Sequence, residues 1–154
     1  AARATRSGML KPPPIRIVEV HDRAAMEQAW ALRRMVFIEE EQVPEAIEMD
    51  ADDAAAFHVL ALEGDTAVGC GRMVTHGEQV KIGRMAVLKA RRGEGIGRQV
   101  LEFLMATARR RGFRKALLHA QLHAEGFYRK NGFRPLGEVF EEAGIPHRAM
   151  EREL

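Results

Sequence analysis

Several kinds of residue pattern are missing from this sequence. A single cysteine, Cys70, excludes an internal disulfide and favours a reducing cytoplasm as the compartment. No apolar run approaches the roughly 20 residues that cross a bilayer, so neither a membrane partner nor a signal peptide is expected. One tryptophan, one tyrosine and seven phenylalanines, mostly at core-like spacings, argue against a nucleic-acid partner despite the basic residues 109–115.

The chain has the size and composition of one ordinary domain. Its 154 residues are 46% hydrophobic and 30% charged, which is typical of a globular protein with a sizeable core. We expect residues 1–14 to be a disordered lead or an expression remnant, and residues 15–154 to form the domain. Both a monomer and a homodimer are compatible with the sequence.

The net charge is only +2, but the charges are unevenly distributed. Residues 39–53 contain eight acidic side chains and no Lys or Arg, whereas basic side chains dominate residues 81–115. One interpretation is two solvated faces. The other is two ligands of opposite charge, an anion on the basic part and a cation near the acidic part.

Hydrophobic patterns predict interleaved strands and helices. Strands are predicted at residues 15–20, 58–63, 67–74, 80–88, 115–121, 133–140 and 147–153. Helices are predicted from the N-cap Asp22 to about residue 37, over 96–111 and over 124–131. One strand–turn–helix–strand run forms a βαβ unit, whose two strands should be parallel. We therefore predict a mixed α/β (α+β) single domain, with a mostly antiparallel sheet, a central parallel pair and helices on both faces.

A glycine-rich turn lies between a predicted strand and a predicted helix. Three glycines, at positions 93, 95 and 97, stand among three arginines. Unpaired N–H groups at a helix start attract anions, and glycine lets a ligand approach the backbone, so a phosphate is the expected occupant. The Walker pattern fails because no Lys-Ser or Lys-Thr follows Gly97, and the dinucleotide fingerprint fails because Arg98 stands where glycine or alanine is needed. A connector without a ligand is the alternative.

The pattern Arg92-x-x-Gly95-x-Gly97 resembles the pyrophosphate-binding motif of the GNAT acetyltransferase superfamily. A second motif follows at the family's distance, reading Gln121-x-x-Ala124-x-x-Phe127-Tyr128-x-x-x-Gly132-Phe133. Two linked motifs are far more specific than one glycine turn. Further stretches are similar to ElaA-type members of the superfamily, namely residues 32–53, Phe57-His58 and Gly144-Ile145-Pro146-His147-x-x-Met150.

The resemblance implies an N-acetyltransferase that uses acetyl-CoA as co-substrate. A primary amine of a small molecule or a peptide would attack the thioester directly within a ternary complex. The implied cofactor-binding residues are Met85, Ala86 and Val87 for pantetheine, Arg92, Gly93, Glu94, Gly95, Ile96, Gly97 and Arg98 for pyrophosphate, and the motif residues Gln121, Ala124 and Phe127. A catalytically silent CoA-binding sensor or regulatory module is the alternative function.

Tyr128, the only tyrosine, lies where the family commonly has the proton donor for the departing thiolate. Tyrosine is protonated at neutral pH, as a general acid must be; the alternative is a core aromatic beside Phe127. The acceptor also needs a base, and the candidates are Glu40, Glu41, Glu45 and His58, of which we take Glu40 and His58 as catalytic residues beside Tyr128. The carboxylates of residues 39–53 favour a cationic acceptor.

Other reactive side chains have simpler explanations. Cys70 lies in an apolar strand between glycines, so we expect a buried small hydrophobe rather than a nucleophile. His119-x-x-x-His123 lacks the glutamate that follows the first histidine in zinc proteases, so no metal is expected. His147 is either a residue of the acceptor pocket, as the ElaA-type resemblance suggests, or a turn histidine.

Overall fold

A mixed β-sheet organises the part of the chain that the structure, a computed structural model, describes: residues 13–48 and 50–154. The strands in these residues are β1 (Ile15–Glu19), β2 (Phe57–Glu63), β3 (Thr66–His76), β4 (Gln79–Val87), β5 (Lys115–Gln121), β6 (Arg134–Glu142) and β7 (Ile145–Glu153). They are ordered β1-β2-β3-β4-β5-β7-β6. Each neighbouring pair is antiparallel except β4 and β5, which confirms the predicted central parallel pair. Of the predicted lead, residues 1–12 lie outside the described residues.

Helices cover both faces of the sheet, as predicted. They are α1 (Arg23–Arg33), α2 (Glu45–Glu48), α3 (Ile96–Arg110) and α4 (Glu125–Lys130). Successive strand residues point to opposite faces, which divides the core in two. In β2, Val59 and Ala61 belong to the cluster that contains Leu104 of α3, whereas Leu60 packs with Leu32 of α1. No helix among the described residues is long and apolar enough to span a bilayer.

Helix α1 continues directly into a helical segment with a different winding. Asp22 caps the first turn and accepts a hydrogen bond from the Ala25 N–H at 2.8 Å, as the sequence predicts. From Arg34 to Glu40 the chain continues as a π-helix, where the sequence predicts α-helix. Its last turn is closed by the Glu41 N–H, which donates to the Val36 carbonyl, five residues back, at 3.0 Å. A π-turn is wider than an α-turn, so it shifts the carboxylates at the helix end.

The last hairpin is tighter than the sequence indicates. Ala143 and Gly144 both have positive φ, 55° and 76°, which is the backbone of a two-residue hairpin turn. Both strands therefore run up to this turn, and Pro146 lies within β7. His147 pairs with Phe140 of β6 and is a strand residue, not a turn residue.

The two parallel strands separate after a short pairing. Residues 79–81 of β4 pair with residues 115–117 of β5. All residues of both strands are described by the structure, and the two strands form no further ladder pairs. Beyond them the carboxyl ends of both strands diverge. A gap at the carboxyl ends of parallel strands is where ligands bind in open α/β sheets.

A β-bulge lies in β4 beside this gap. Arg84 and Met85 stand opposite the single Gly71 of β3. Arg84 has φ +50°, a left-handed conformation that non-glycine residues rarely adopt without support from their surroundings. The bulge turns the following backbone of β4 relative to a regular strand.

Candidate active site

The glycine-rich turn forms the start of helix α3. Gly93 and Gly95 have φ of +86° and +84°, a region that strains other residues. Gly95 is the N-cap of α3, and no side chain caps the first N–H groups. A methyl group added at Gly93 or Gly95 would meet no atom within 4 Å, so the space beside the turn is open. The turn therefore fits a phosphate held by backbone N–H groups and the helix dipole.

The arginines around this turn are paired with carboxylates. Arg92 donates to both oxygens of Glu40, at 2.7 and 2.9 Å, and its Nε donates to the Val87 carbonyl at 3.0 Å. The hydrogen bonds from Arg92 lower the pKa of Glu40, which makes Glu40 a weak base. The neighbouring charges pair locally, Arg91 with Glu63 and Glu94, and Arg98 with Glu102.

The two sequence motifs meet in space at Gly97. A methyl group at Gly97 would stand 3.5 Å from the Phe127 ring and 3.7 Å from Val87, which is ordinary contact. Ile96 is buried beneath the turn at 1% exposure. Residues far apart along the chain thus bring the glycine turn against the end of β4 and against α4.

A cleft of about 540 Å³ opens at the β4–β5 gap. Its walls include Met85 of β4, Tyr128 of α4, and Ala124, the residue that precedes α4. Gln121, at the end of β5, connects to the segment after α1, since its Nε2 donates to Glu41 Oε1 at 2.8 Å. The cleft therefore lies between the sheet, the short helix of the second motif and the acidic segment.

Tyr128 is held firmly at this cleft. It is 9% exposed, and its ring makes edge-to-face contacts with Phe127 and Phe133 at centroid distances of 5.0 and 5.8 Å. Burial raises the pKa of the Tyr128 hydroxyl above its ordinary value, so the hydroxyl is protonated at neutral pH. Among the described residues none forms a hydrogen bond with this hydroxyl, which leaves it able to donate to a ligand in the cleft.

The candidate bases occupy different places. Glu41 lines the cleft with Tyr128, whereas Glu40 is paired with Arg92 at the glycine turn. Glu45 is exposed and paired with Arg34 at 2.9 Å. His58 lies in a separate groove, and its Nε2 contacts the Asp53 carbonyl at 2.9 Å. Of the two preferred candidates, therefore, the structure brings neither Glu40 nor His58 to the cleft beside Tyr128.

A family model described as an acetyltransferase (GNAT) domain matches residues 22–154 of this chain. The chain belongs to the GNAT acetyltransferase family. Protein ElaA of Escherichia coli (strain K12) is 35% identical over 143 residues, covering 87% of this chain and 93% of ElaA. The uncharacterized N-acetyltransferase YjcF of Bacillus subtilis (strain 168) is 34% identical over 129 residues, covering 83% of this chain and 92% of YjcF.

Solved structures agree with this assignment. The crystal structure of Escherichia coli ElaA matches with a TM-score of 0.82 at 31% identity, over 91% of this chain and 100% of that chain. An aminoglycoside 6′-N-acetyltransferase complexed with coenzyme A has the same fold, with a TM-score of 0.70 at 19% identity over 90% and 96% of the two chains. The predicted GNAT membership, ElaA-type similarity and N-acetyltransferase activity class are confirmed.

In this GNAT acetyltransferase, three arginines hold the acidic segment against the sheet. They form a closed set of ion pairs with three carboxylates, here named the arginine ring. Its contacts are Arg33–Glu48 (2.8 Å), Glu48–Arg84 (3.0 Å), Arg84–Asp50 (3.1 Å), Asp50–Arg72 (2.8 Å), Arg72–Asp53 (2.8 Å) and Asp53–Arg33 (2.9 Å). Because Arg84 is also the bulge residue of β4, the arginine ring supports the bulge beside the cleft.

The arginine ring changes the electrostatic expectation for the acceptor. Hydrogen bonds from Arg72 lower the pKa of Asp50 to about 2, so the Asp50 carboxylate stays charged and its charge is neutralised by Arg72. Five of the eight acidic side chains in residues 39–53 are paired with arginine: Glu40, Glu45, Glu48, Asp50 and Asp53. Glu41 and Asp52 line the cleft, and for them the described residues provide no ion pair. The negative field at the cleft therefore comes from few groups, not from the whole segment.

Sequence patterns missed several residues of the cleft wall. Arg72, Lys81 and Arg84 line it, as do His119 and Glu142, which pair at 2.8 Å. The sequence patterns did not assign them to the cleft, because they come from four strands that meet only when the sheet forms. The described residues contain no group of three or more His, Cys, Asp or Glu arranged to hold a metal. Cys70 is 2% exposed, and burial raises its pKa to about 12, as expected of a structural thiol.

Proposed function

We propose that this enzyme transfers an acetyl group from acetyl-CoA to a primary amine by direct attack within a ternary complex. The observation that carries the proposal is the position of Tyr128. A protonated, buried hydroxyl without a protein partner among the described residues lines the cleft. The preceding residue, Phe127, packs beside Gly97 of the open glycine turn. A cofactor with a phosphate at one end and a reactive thioester at the other matches this arrangement.

The chain offers two backbone sites for acetyl-CoA, which supplies the activated acyl group. The N–H groups of residues 93–98 would hold the pyrophosphate, since a helix start with two positive-φ glycines favours an anion. The backbone of residues 85–87, after the β4 bulge, would hold the pantetheine arm. One N–H there would donate to the thioester oxygen and stabilise the charge that develops on it. Arg92 would exchange its contact with Glu40 for one with phosphate.

Tyr128 is the proton donor in this proposal. The amine nitrogen bonds to the acyl carbon, the carbon–sulfur bond breaks, and the Tyr128 hydroxyl gives its proton to the departing sulfur. The bonded nitrogen then loses one proton, which restores the Tyr128 hydroxyl by way of solvent. Desolvation keeps the proton on Tyr128 until negative charge develops on the departing sulfur beside it. The edge-to-face contacts with Phe127 and Phe133 hold the hydroxyl in position.

The acceptor is an amine whose ammonium approaches from the side of the acidic segment. Glu41 provides a carboxylate there, anchored by Gln121 at 2.8 Å. Since the arginine ring neutralises Glu48, Asp50 and Asp53, one ammonium close to Glu41 is favoured over a long polycation.

The test is an acetyl-CoA assay with a panel of primary amines, following release of the CoA thiol. Amine-dependent release is expected, and Tyr128→Phe should lower kcat about 100-fold or more, within the usual range for a general acid. CoA affinity, measured by calorimetry, should change little, because the ring and its packing remain. Tight CoA binding without release for any amine would instead support a CoA-binding sensor, and full activity of Tyr128→Phe would remove Tyr128 from the mechanism.

A further inference from the structure

His147 is a buried histidine at the cleft that the proposed mechanism has not used. It is 7% exposed and lines the same cleft as Tyr128. In the sheet it stands between Gln121 of β5 and Phe140 of β6, its register partners on either side. A buried histidine in a cleft wall is a candidate for acid–base chemistry.

The hydrogen bonding of His147 defines which nitrogen carries the proton. Its Nδ1 lies 2.6 Å from the Ile145 carbonyl oxygen. A carbonyl oxygen only accepts, so Nδ1 must be the protonated nitrogen. In the neutral ring Nε2 then has the free lone pair, and none of the described residues forms a hydrogen bond with it. Phe140 stacks on the ring at 6.1 Å and 26°, which fixes the ring plane.

His147 and Tyr128 approach the gap from opposite faces of the sheet. Arg148 donates to Glu125 of α4 at 3.1 Å, so Arg148 points to the face that α4 covers. Neighbouring residues of a strand point to opposite faces. His147 therefore lies on the other face, while Tyr128 extends from α4 itself. Direct transfer needs proton removal on the side where the amine enters and proton donation on the side where sulfur leaves, and this arrangement provides both.

We propose that Nε2 of His147 is the general base that takes the proton from the acceptor ammonium, an inference that rests on the proposed function. The ammonium gives one proton to Nε2, and the neutral nitrogen then bonds to the acyl carbon. The carbon–sulfur bond breaks as Tyr128 protonates the sulfur, and the second proton lost by the bonded nitrogen restores the Tyr128 hydroxyl by way of solvent. His147 returns its proton to solvent after the product leaves. Glu41 binds the ammonium before this transfer.

Imidazole suits this step better than a carboxylate, because histidine normally changes its protonation between pH 5 and 8. Gln121 of β5 and Phe140 of β6 are the register partners of His147, and the titratable groups His119 of β5, Glu142 of β6 and Lys81 of β4 line the same cleft. Burial acts to raise the pKa of Glu142, but the hydrogen bond with His119 and nearby positive charges outweigh burial, so that the pKa of Glu142 is lowered. Glu142 is therefore charged at neutral pH.

The decisive variant is His147→Asn. The asparagine amide can replace Nδ1 as donor to the Ile145 carbonyl but has no counterpart of Nε2. We expect kcat to fall about 100-fold, with unchanged CoA affinity, and the acidic limb of the kcat–pH profile to disappear. His21→Asn is the matched control and should behave like the wild type, because His21 is exposed in the segment between β1 and α1.

Three results are informative in different ways. Amine-dependent thiol release by the wild type with an unchanged rate and pH profile in His147→Asn would overturn the base assignment alone. Absence of release by the wild type itself would instead overturn the proposed function. Should His147→Asn fail to fold, ¹⁵N spectra of the wild-type histidines decide the question: a protonated Nδ1 and a free Nε2 at neutral pH support the base, and the opposite tautomer overturns it.

Discussion

Replacing Glu48 by Gln should destabilise this protein by about 3 kcal/mol. Glu48 and Arg33 are 2% and 1% exposed, and their side chains meet at 2.8 Å. Removing one charge of a buried pair leaves the other without compensation, which typically costs about 3–5 kcal/mol. Arg33 keeps Asp53 at 2.9 Å, and Arg84 keeps Asp50 at 3.1 Å, so the lower end of that range applies.

Urea unfolding measures this effect directly. With a slope of about 2 kcal/mol per M, a loss of about 3 kcal/mol moves the midpoint down by about 1.5 M. Glu45→Gln is the matched control, because it removes a carboxylate of the same short helix whose pair with Arg34 is exposed. The control should leave the midpoint almost unchanged. Equal midpoints for the two variants would refute the reasoning that burial makes the arginine ring important for stability.

Three further predictions concern the turn, the core and acid stability. Gly95→Ala should weaken CoA binding and also destabilise the fold by about 1–2 kcal/mol. Gly112→Ala, at a residue with φ +88° at the other end of α3, should destabilise the fold without weakening CoA binding, and calorimetric titration with CoA distinguishes the two variants. Leu104→Ala should cost about 2–5 kcal/mol in urea unfolding, since Leu104 is 0% exposed. Because Arg72 lowers the pKa of Asp50 from 3.8 to about 2, the contribution of the Asp50 carboxylate to folding stability is complete above pH 4 and is lost as the pH falls through 2. In Asp50→Asn the urea midpoint should therefore decline less steeply with falling pH over this range.

Local patterns in the sequence were sufficient for most of the fold. Strand β5 has the predicted limits, and β4 and α3 differ from prediction by one residue at most at each end. Alternation, helical periodicity and turn glycines act within a few residues, so they are readable from the chain alone. The π-helical end of α1 was missed, because hydrophobic periodicity does not distinguish an α-turn from a π-turn in a short segment.

The catalytic side of the site depended more on tertiary structure. Tyr128 was predicted through its motif, and the structure has it at the cleft. Among the acidic candidates for the base, the sequence offered no means of choosing. Glu40 is occupied by Arg92, 52 positions away, and Glu41 meets Gln121, 80 positions away. Such pairs appear only when the strands and the acidic segment have come together.

The sequence by itself determined that this chain folds around a parallel pair of strands joined through a glycine-rich helix start, and that it belongs with the GNAT acetyltransferases. Those features rest on backbone conformation and residue spacing, which are local. The tertiary structure alone decided which carboxylates of the acidic segment are paired with arginine and which are not. Three arginines from different elements neutralise the carboxylates that made the acidic segment look like a cation site, because an ion pair depends on distance in space and not on distance along the chain.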